Sequence, residues 1–309
     1  MWLYFKDLIS FLFVCVFLYI VGIILWAQIP YSYLGANFLY RQGSYGHLNT
    51  RVKEIPNYGE VDILFVGSSR VYRGFDPRIF EKHGLKVFVL GSSSQTPLQS
   101  YVLLERYMDK LKPKTVVYDL LPSTFAITGV EPTLDLLAND QIDKYSFQMA
   151  LEQNDLMVWN TLLYALAADL VGVHDKLKER QYKPEEGDTY ISGGYVHKNL
   201  SFNSTANCEE DSLKWKEPLQ LQTEYFIKSM NFCAKRSIRF IAINMPIANY
   251  ECYSNNNILR DLVKDSLNYI DFNKEFILSD SLDYYDNYHL NNAGLKKIDS
   301  FFIQNLQNL

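Results

Sequence analysis

The chain has 309 residues, 48% hydrophobic and 21% charged, which argues against collagen-like, coiled-coil and wholly disordered proteins. Its 30 basic and 35 acidic residues give a formal net charge of -5. Because such a chain offers no positive field to nucleic-acid phosphates, nucleic-acid binding is not expected.

The N-terminal region has no charged residue between Leu8 and Tyr40. The segment from Leu8 to Ala27 is almost entirely apolar, and at 1.5 Å per residue it would span about 30 Å, the thickness of a hydrocarbon core. We interpret residues 1–30 as a transmembrane anchor. A cleaved signal peptide is the main alternative, but Leu25-Trp26-Ala27 is a poor cleavage site.

The side of the membrane that carries the rest of the chain is not decided by charge. Lys6 precedes the apolar segment, and several basic residues follow it. Residues 31–60 are predicted to be a juxtamembrane linker, and residues 61–309 an α/β domain. Cys208 and Cys252 lie in predicted loops of this domain and could pair if it faces an oxidising compartment.

After the linker, short apolar runs alternate with helical patterns. The runs are hydrophobic almost without interruption, which is typical of parallel strands buried on both faces. Thr96 and Pro97 are typical of a helix start, and Pro113 ends that helix. Strand–helix alternation predicts a three-layer αβα domain with right-handed crossovers. The predicted strands are Asp62–Gly67, Lys86–Gly91, Thr115–Leu120, Ile238–Met245 and Glu275–Leu278.

An insertion of mostly helical character is predicted at about residues 122–215, where the strand–helix rhythm stops. It contains an apolar helical stretch around Leu156–Val173, a dense charge run from Asp175 to Asp188 and a turn at Gly193–Gly194. We expect this insertion to pack over one end of the sheet.

Serines follow the first three predicted strands, and an aspartate and a histidine precede the last helix. They are Ser69, Ser94, Ser123, Asp286 and His289. Because the carboxyl ends of parallel strands meet at one edge of a sheet, we expect these residues to converge. A serine hydroxyl needs an imidazole to take its proton, and the imidazole needs a carboxylate to orient it. The pattern therefore predicts acyl-transfer chemistry at Ser69, with His289 as base and Asp286 as its orienting partner.

These blocks resemble those of the SGNH (GDSL-like) hydrolases, over roughly residues 60–125 and 235–305. The likeness is greatest to membrane-anchored relatives that modify cell-envelope polymers, such as the alginate acetylation proteins and the D-alanyl transfer protein of teichoic acid. The family's nucleophile maps to Ser69, and its Asp-x-x-His block maps to Asp286 and His289. The resemblance implies a flavodoxin-like parallel sheet between two layers of helices.

Three positions depart from the family pattern. Ser68 replaces the usual aspartate, Ser94 stands at the glycine whose N–H helps to bind the oxyanion, and Ser123 falls near the expected asparagine. Each loss weakens the oxyanion hole. Backbone N–H groups near Ser69 and Ser94, together with Ser123, are the candidate donors that remain.

The resemblance implies a serine esterase or O-acyltransferase that acts on envelope polysaccharide through an acyl-serine intermediate. It further implies a single-pass protein of the inner (cytoplasmic) membrane, with its catalytic domain outside the cytoplasm. The implied partners are the membrane, a membrane-bound O-acyltransferase and a polysaccharide acceptor, and no cofactor is expected. The alternative is a catalytically inactive SGNH-like scaffold that binds glycan or the acyltransferase.

Arg70 follows the candidate nucleophile and has two alternative roles. It could steady an anionic or carbonyl-bearing substrate, or it could form an ion pair with Asp76 or Asp119. No metal site is predicted, because regular spacing in a loop does not make ligands converge. The regularly spaced residues are Asp280, Asp283, Asp286 and His289.

Overall fold

The computed structural model describes residues 2–27, 37–43, 46–170, 172, 178–183, 185–202, 217–250, 263, 268–275 and 277–306. The chain divides into two compact units. The anchor unit comprises Met1–Gln42 and Thr133–Leu177, and the sheet unit comprises Gly43–Pro132 and Lys178–Leu309. The cysteines for which a pairing was considered, Cys208 and Cys252, lie outside the described residues.

The sheet unit contains a five-stranded parallel sheet in the order β2-β1-β3-β6-β7. This order places the topological switch point between β1 and β3, and the predicted α/β class is confirmed. A separate antiparallel hairpin is formed by β4 and β5. The strands are β1 Ile63–Gly67, β2 Val87–Gly91, β3 Thr115–Asp119, β4 Thr189–Ile191, β5 Tyr195–His197, β6 Arg239–Asn244 and β7 Asn268–Asp271.

The helices follow the strand ends as the sequence predicted. Thr96 forms a capping box with Gln99 at the start of the helix that begins at Pro97. The helices are α1 Trp2–Trp26, α2 Leu48–Tyr58, α3 Ser69–Gly74, α4 Pro77–Glu81, α5 Pro97–Leu111, α6 Pro122–Phe125, α7 Val130–Asn139, α8 Lys144–Gln153, α9 Leu156–Leu170, α10 Gln220–Ala234, α11 Phe272–Glu275, α12 Asp280–Asp283 and α13 Asn292–Asn305.

Both faces of the parallel sheet are covered by helices. On one face, Phe65 of β1 stacks on Phe75 at 3.9 Å between ring centroids and meets Phe302 of α13 at 5.6 Å. On the other face, Tyr118 of β3 meets Phe226 of α10 at 5.2 Å. Because alternate residues of a strand point to opposite faces, the continuously apolar strands fill both layers of the core.

The last strand of the sheet differs from its prediction. Glu275–Leu278 was expected to form it, but β7 is Asn268–Asp271 and residues 272–275 form the single turn α11. Both segments are short and only partly apolar, so neither has a decisive local pattern. The parallel pairing of Ile270 with Ile243 in β6 distinguishes them.

Part of the predicted linker belongs to the sheet unit. In α2, Leu48, Val52 and Ile55 form a buried stripe at spacings of four and three. The Arg51 side chain is buried as well, and it donates hydrogen bonds to the carbonyl oxygens of Gly91, at 2.7 Å, and Gly194, at 2.9 Å. This side chain therefore joins α2 to the end of β2 and to the β4–β5 hairpin.

The anchor unit combines α1 with part of the predicted insertion. Among the described residues, one helix, Tyr4–Trp26, is long and apolar enough to cross a membrane. The Tyr19 hydroxyl donates to the Oδ1 atom of Asn160 in α9 at 2.6 Å. Residues 133–177 of the insertion thus group with α1, whereas its later part, from residue 178, groups with the sheet unit.

Candidate active site

Ser69 is the first residue of α3 and lies two residues after Gly67, the last residue of the buried strand β1. The strand ends approach closely here, since a Cβ atom on Gly91 would lie 2.6 Å from the Gly67 carbonyl oxygen. The partly exposed Ser69 points its Oγ atom at Nε2 of His289, 2.8 Å away. The predicted convergence of these two residues is thus present in the structure.

His289 and Asp286 occupy a tight turn between α12 and α13. The Oδ1 atom of Asp286 accepts hydrogen bonds from the backbone N–H groups of Tyr288, at 2.9 Å, and His289, at 2.8 Å. The same carboxylate lies 2.8 Å from Nδ1 of the His289 ring. The three-residue spacing therefore lets one carboxylate fix both the turn and the imidazole.

The hydrogen bonds assign the tautomer of His289. An ionised carboxylate only accepts hydrogen bonds, so the ring proton lies on Nδ1, facing Asp286. The lone pair on Nε2 then faces the hydroxyl of Ser69. This is the arrangement in which an imidazole can take a proton from a serine.

The electrostatics favour the same charge states. Burial lowers the pKa of His289, the nearby Arg73 and Arg70 lower it further, and Asp286 opposes them. For Asp286, burial alone would raise the pKa, but hydrogen bonds from the His289 ring and from the turn backbone outweigh it and hold the pKa below its usual value. A neutral imidazole therefore stands beside an ionised carboxylate at neutral pH.

Tyr285 is a site residue that the sequence interpretation missed. Its buried ring stacks on His289, with 5.5 Å between centroids and an interplanar angle of 9°. This contact restricts the plane in which the imidazole lies. The available signal was an aromatic residue directly before the Asp-x-x-His block. Because aromatic residues are frequent throughout this chain, one at this position did not stand out.

Arg70 is buried and binds other residues of the protein. It is 2% exposed, and its Nη2 and Nε atoms donate to the Asp119 carboxylate at 2.6 and 3.0 Å. Its Nη1 atom donates to the carbonyl oxygen of Met245 at 2.9 Å. Of the two roles considered, the ion pair with Asp119 is the one present. It fastens α3, and hence Ser69, to the ends of β3 and β6.

Ser94 and Ser123 follow β2 and β3, the two neighbours of β1 in the sheet. Both are partly exposed, and Ser123 lies in the first turn of α6. Ser94 has a φ of 50°, in the left-handed region that glycine adopts most readily. Ser94 therefore has a backbone conformation that suits the glycine expected at this position from the sequence resemblance.

The regularly spaced acidic residues have separate partners. Asp280 accepts from the backbone N–H of Asn249 at 3.2 Å, and Asp283 binds Lys297 at 2.7 Å. Asp286 binds His289, as described. Within the part of the chain that the structure describes, no group of three or more His, Cys, Asp or Glu residues is arranged to hold a metal ion.

No protein-family model and no curated protein sequence matches this chain. Among solved structures, it is similar to a "putative acylhydrolase" from Bacteroides fragilis, at 11% identity and a TM-score of 0.42 over 86% of this chain and 98% of that chain. It is also similar to a GDSL-like lipase from Bacteroides thetaiotaomicron, at 10% identity and a TM-score of 0.41 over 86% and 99%. Similarity at this level is too low to support an inference about the fold or the activity of this chain, so both are inferred from the geometry described above.

Proposed function

We propose that this protein is a membrane-anchored serine esterase or O-acyltransferase that acts on cell-envelope polysaccharide. One observation supports this function above all others. A continuous chain of hydrogen bonds joins Ser69 to His289 at 2.8 Å and His289 to Asp286 at 2.8 Å. The three groups have the order and charge states that nucleophilic acyl transfer requires.

In the proposed reaction, the Oγ atom of Ser69 attacks the carbonyl carbon of an acyl donor while Nε2 of His289 takes the hydroxyl proton. Asp286 stabilises the resulting imidazolium. Backbone N–H groups at Ser69 and Ser94, with Ser123, hold the carbonyl oxygen as it becomes negative. His289 then gives its proton to the departing group, which leaves an acyl ester on Ser69.

The second half of the reaction repeats these roles with a new nucleophile. Nε2 of His289 takes a proton from water or from a sugar hydroxyl, and the oxygen attacks the acyl ester. The bond to Ser69 Oγ breaks, and His289 returns the proton to that oxygen. Hydrolysis and transfer differ only in the attacking hydroxyl.

The length and apolar character of α1 support a single-pass membrane anchor. The resemblance to the envelope-modifying proteins is what implies the inner membrane and a sheet unit outside the cytoplasm. An anchor would keep Ser69 beside a membrane-bound O-acyltransferase that supplies acyl groups. We therefore favour transfer to an envelope polysaccharide over hydrolysis.

Labelling with a serine-directed fluorophosphonate tests the nucleophile. We expect the full-length protein to be labelled and Ser69→Ala to be unlabelled. Ser68→Ala is the matched control, because Ser68 is the adjacent, buried serine and its Oγ atom has no hydrogen-bond partner. Labelling that persists in Ser69→Ala would contradict the assignment.

A polymer assay separates the enzyme from the inactive scaffold. If the protein is an acyltransferase, Ser69→Ala and His289→Ala abolish acylation of the envelope polymer in cells. If it is a scaffold that binds glycan or the acyltransferase, both variants support normal acylation, provided that their amounts in the membrane equal that of the wild type.

A further inference from the structure

The helix α9 in the anchor unit is apolar over most of its length, and its one charged residue is Asp169, next to its C-terminal end. Residues 156–168 include no charged side chain. One side is packed inside the anchor unit, where Val158, Leu162 and Ala165 are fully buried. The opposite side carries Leu156 and Leu170, which are 55% and 89% exposed. A helix facing water is normally polar on its exposed side, so water is not the expected neighbour of this surface.

The position of α9 along α1 is given by the contact between Tyr19 and Asn160. Lys6 and Asp7 mark the end of α1 that has to stay outside the hydrocarbon core, because charged groups are costly there. Tyr19 is twelve residues beyond Asp7, or about 18 Å along a helix axis. A core of about 30 Å then ends about 12 Å beyond Tyr19. Asn160, bound to Tyr19, lies at the same depth.

The polar groups of α9 at this depth are paired, as hydrocarbon surroundings require. The Nδ2 atom of Asn160 donates to the Asn37 carbonyl oxygen at 2.8 Å, and its Oδ1 atom accepts from Tyr19. The hydroxyl of Thr161 donates to the Leu39 carbonyl oxygen at 3.1 Å and accepts from the Leu39 N–H at 3.3 Å. The polar atoms of Asn160 and Thr161 therefore face protein, and the charged Asp169 is exposed at the C-terminal end of the helix.

We propose that α9 inserts into one leaflet of the bilayer and lays its outward side against lipid acyl chains. This inference rests on the proposal that α1 spans the membrane. At about 1.5 Å per residue, 15 residues extend about 22 Å, too short to cross the core, so α9 enters one leaflet without spanning. Its N-terminal Asp155 hydrogen-bonds the N–H groups of Met157 and Val158, which pairs the carboxylate at this end.

Acyl chains fit this surface better than a protein partner does because the surface is continuous with α1. Ile23 of α1 packs in one cluster with Leu163 and Tyr164 of α9. Lipid that surrounds α1 at this level would therefore meet α9 next.

Fluorescence quenching by brominated lipid tests the inference, because Trp159 lies on the partly exposed side of α9. The full-length chain would be reconstituted in phosphatidylcholine vesicles with bromine on the acyl chains. One variant keeps only Trp159 and a second keeps only Trp26, with the other tryptophans changed to Phe. A third has no native tryptophan and carries Leu282→Trp at an exposed position of the sheet unit.

We expect Trp159 to lose emission as strongly as Trp26 does, and the tryptophan at position 282 to lose none. Quenching of Trp26 without quenching of Trp159 would overturn the insertion of α9 and leave the outward side to a protein partner. If neither is quenched, both the insertion and the membrane anchor fail. Fluorophosphonate labelling of Ser69 in the same vesicles reports folding, and it tests the catalytic proposal separately.

A second measurement needs no substitution. The wild-type chain would be reconstituted with phosphatidylcholine that carries a diazirine on an acyl chain, and crosslinked peptides would be identified after irradiation. Adducts on peptides from both α1 and α9 are expected. Adducts on α1 alone would overturn the insertion.

Discussion

At the scale of single residues, the proposed chemistry depends on the charge state of His289. Burial and two nearby arginines disfavour the imidazolium, while the hydrogen bond to Asp286 favours it. The net effect is a pKa below the usual histidine value. The ring is therefore neutral and able to accept a proton at neutral pH, and Asp286 limits how far its pKa is lowered.

The pH dependence of esterase activity follows from that shift. Protonated His289 cannot act as a base, so activity is lost as the pH falls through its pKa. We expect kcat/KM for a small aryl ester to be constant at neutral pH and to fall only below about pH 6.5, the unperturbed histidine pKa. An acid limb centred above that pH would contradict the lowered pKa of His289.

The substitution Asp286→Asn tests the orienting role. The amide cannot reproduce the charge on the carboxylate and favours the wrong tautomer, so kcat/KM should fall by about 10³- to 10⁴-fold. The acid limb should also move to lower pH, because Asp286 raises the pKa of His289. The exposed Asp109→Asn is the control and should retain wild-type rates. A loss of activity with an unmoved pH profile would point to misfolding instead.

The buried pair between Arg70 and Asp119 predicts a stability effect. Arg70→Met leaves a buried carboxylate without its partner, and we expect the free energy of unfolding to fall by about 3–5 kcal/mol. Chemical denaturation of the detergent-solubilised protein measures it. Lys112→Met breaks an exposed pair with Glu60 and should leave the transition unchanged. Equal transitions for the two variants would contradict the structural role of Arg70.

At the scale of secondary-structure elements, the site depends on how closely the ends of neighbouring strands approach. β1, β2 and β3 lie side by side, and each is followed by one of the candidate serines. The α3 helix is fastened to β3 through Arg70, and the turn that carries His289 is closed by Asp286. Short rigid connections therefore bring together side chains from distant parts of the chain.

The substitution Gly91→Ala tests the contact between strand ends. The added methyl group would lie 2.6 Å from the Gly67 carbonyl oxygen and would push the end of β2 away from the segment that carries Ser69. We expect a loss of about 1–3 kcal/mol in stability. Displacement of Ser69 from His289 should lower kcat/KM by about 10- to 100-fold. A fully active variant would show that the spacing of these strands does not set the geometry of the site.

At the scale of the whole molecule, the long helix α1 and the strands of the sheet are both apolar, but for different reasons. The strands are continuously apolar because helices cover both faces of the sheet, whereas α1 is apolar along nearly its whole length and its side chains are mostly exposed. The insertion predicted as one block contributes to both units. Its apolar helix α9 belongs with α1, and the β4–β5 hairpin lies against β2 through the Gly193 carbonyl oxygen and the Val89 N–H.

Membrane fractionation tests the anchor. Because Leu25-Trp26-Ala27 is a poor cleavage site, we expect the protein in cells to keep α1 and to stay with membranes after alkaline carbonate extraction. Intact mass measurement checks the N-terminus. A soluble protein that lacks the first 27 or so residues would instead identify the apolar segment as a signal peptide.

The sequence by itself determined the local features of this protein: the apolar N-terminal segment, four of the five sheet strands, the capped start of α5 and the candidate residues Ser69, Asp286 and His289. These depend on periodicity and on short-range spacing, which act between near neighbours. Only the tertiary structure decided which apolar run forms β7, that α2 belongs to the sheet unit and that Arg70 binds Asp119. It also placed Ser69 beside His289, 220 positions away in the chain. Each of these depends on a partner far along the sequence, and the energy of a buried contact becomes available only when folding brings both partners together.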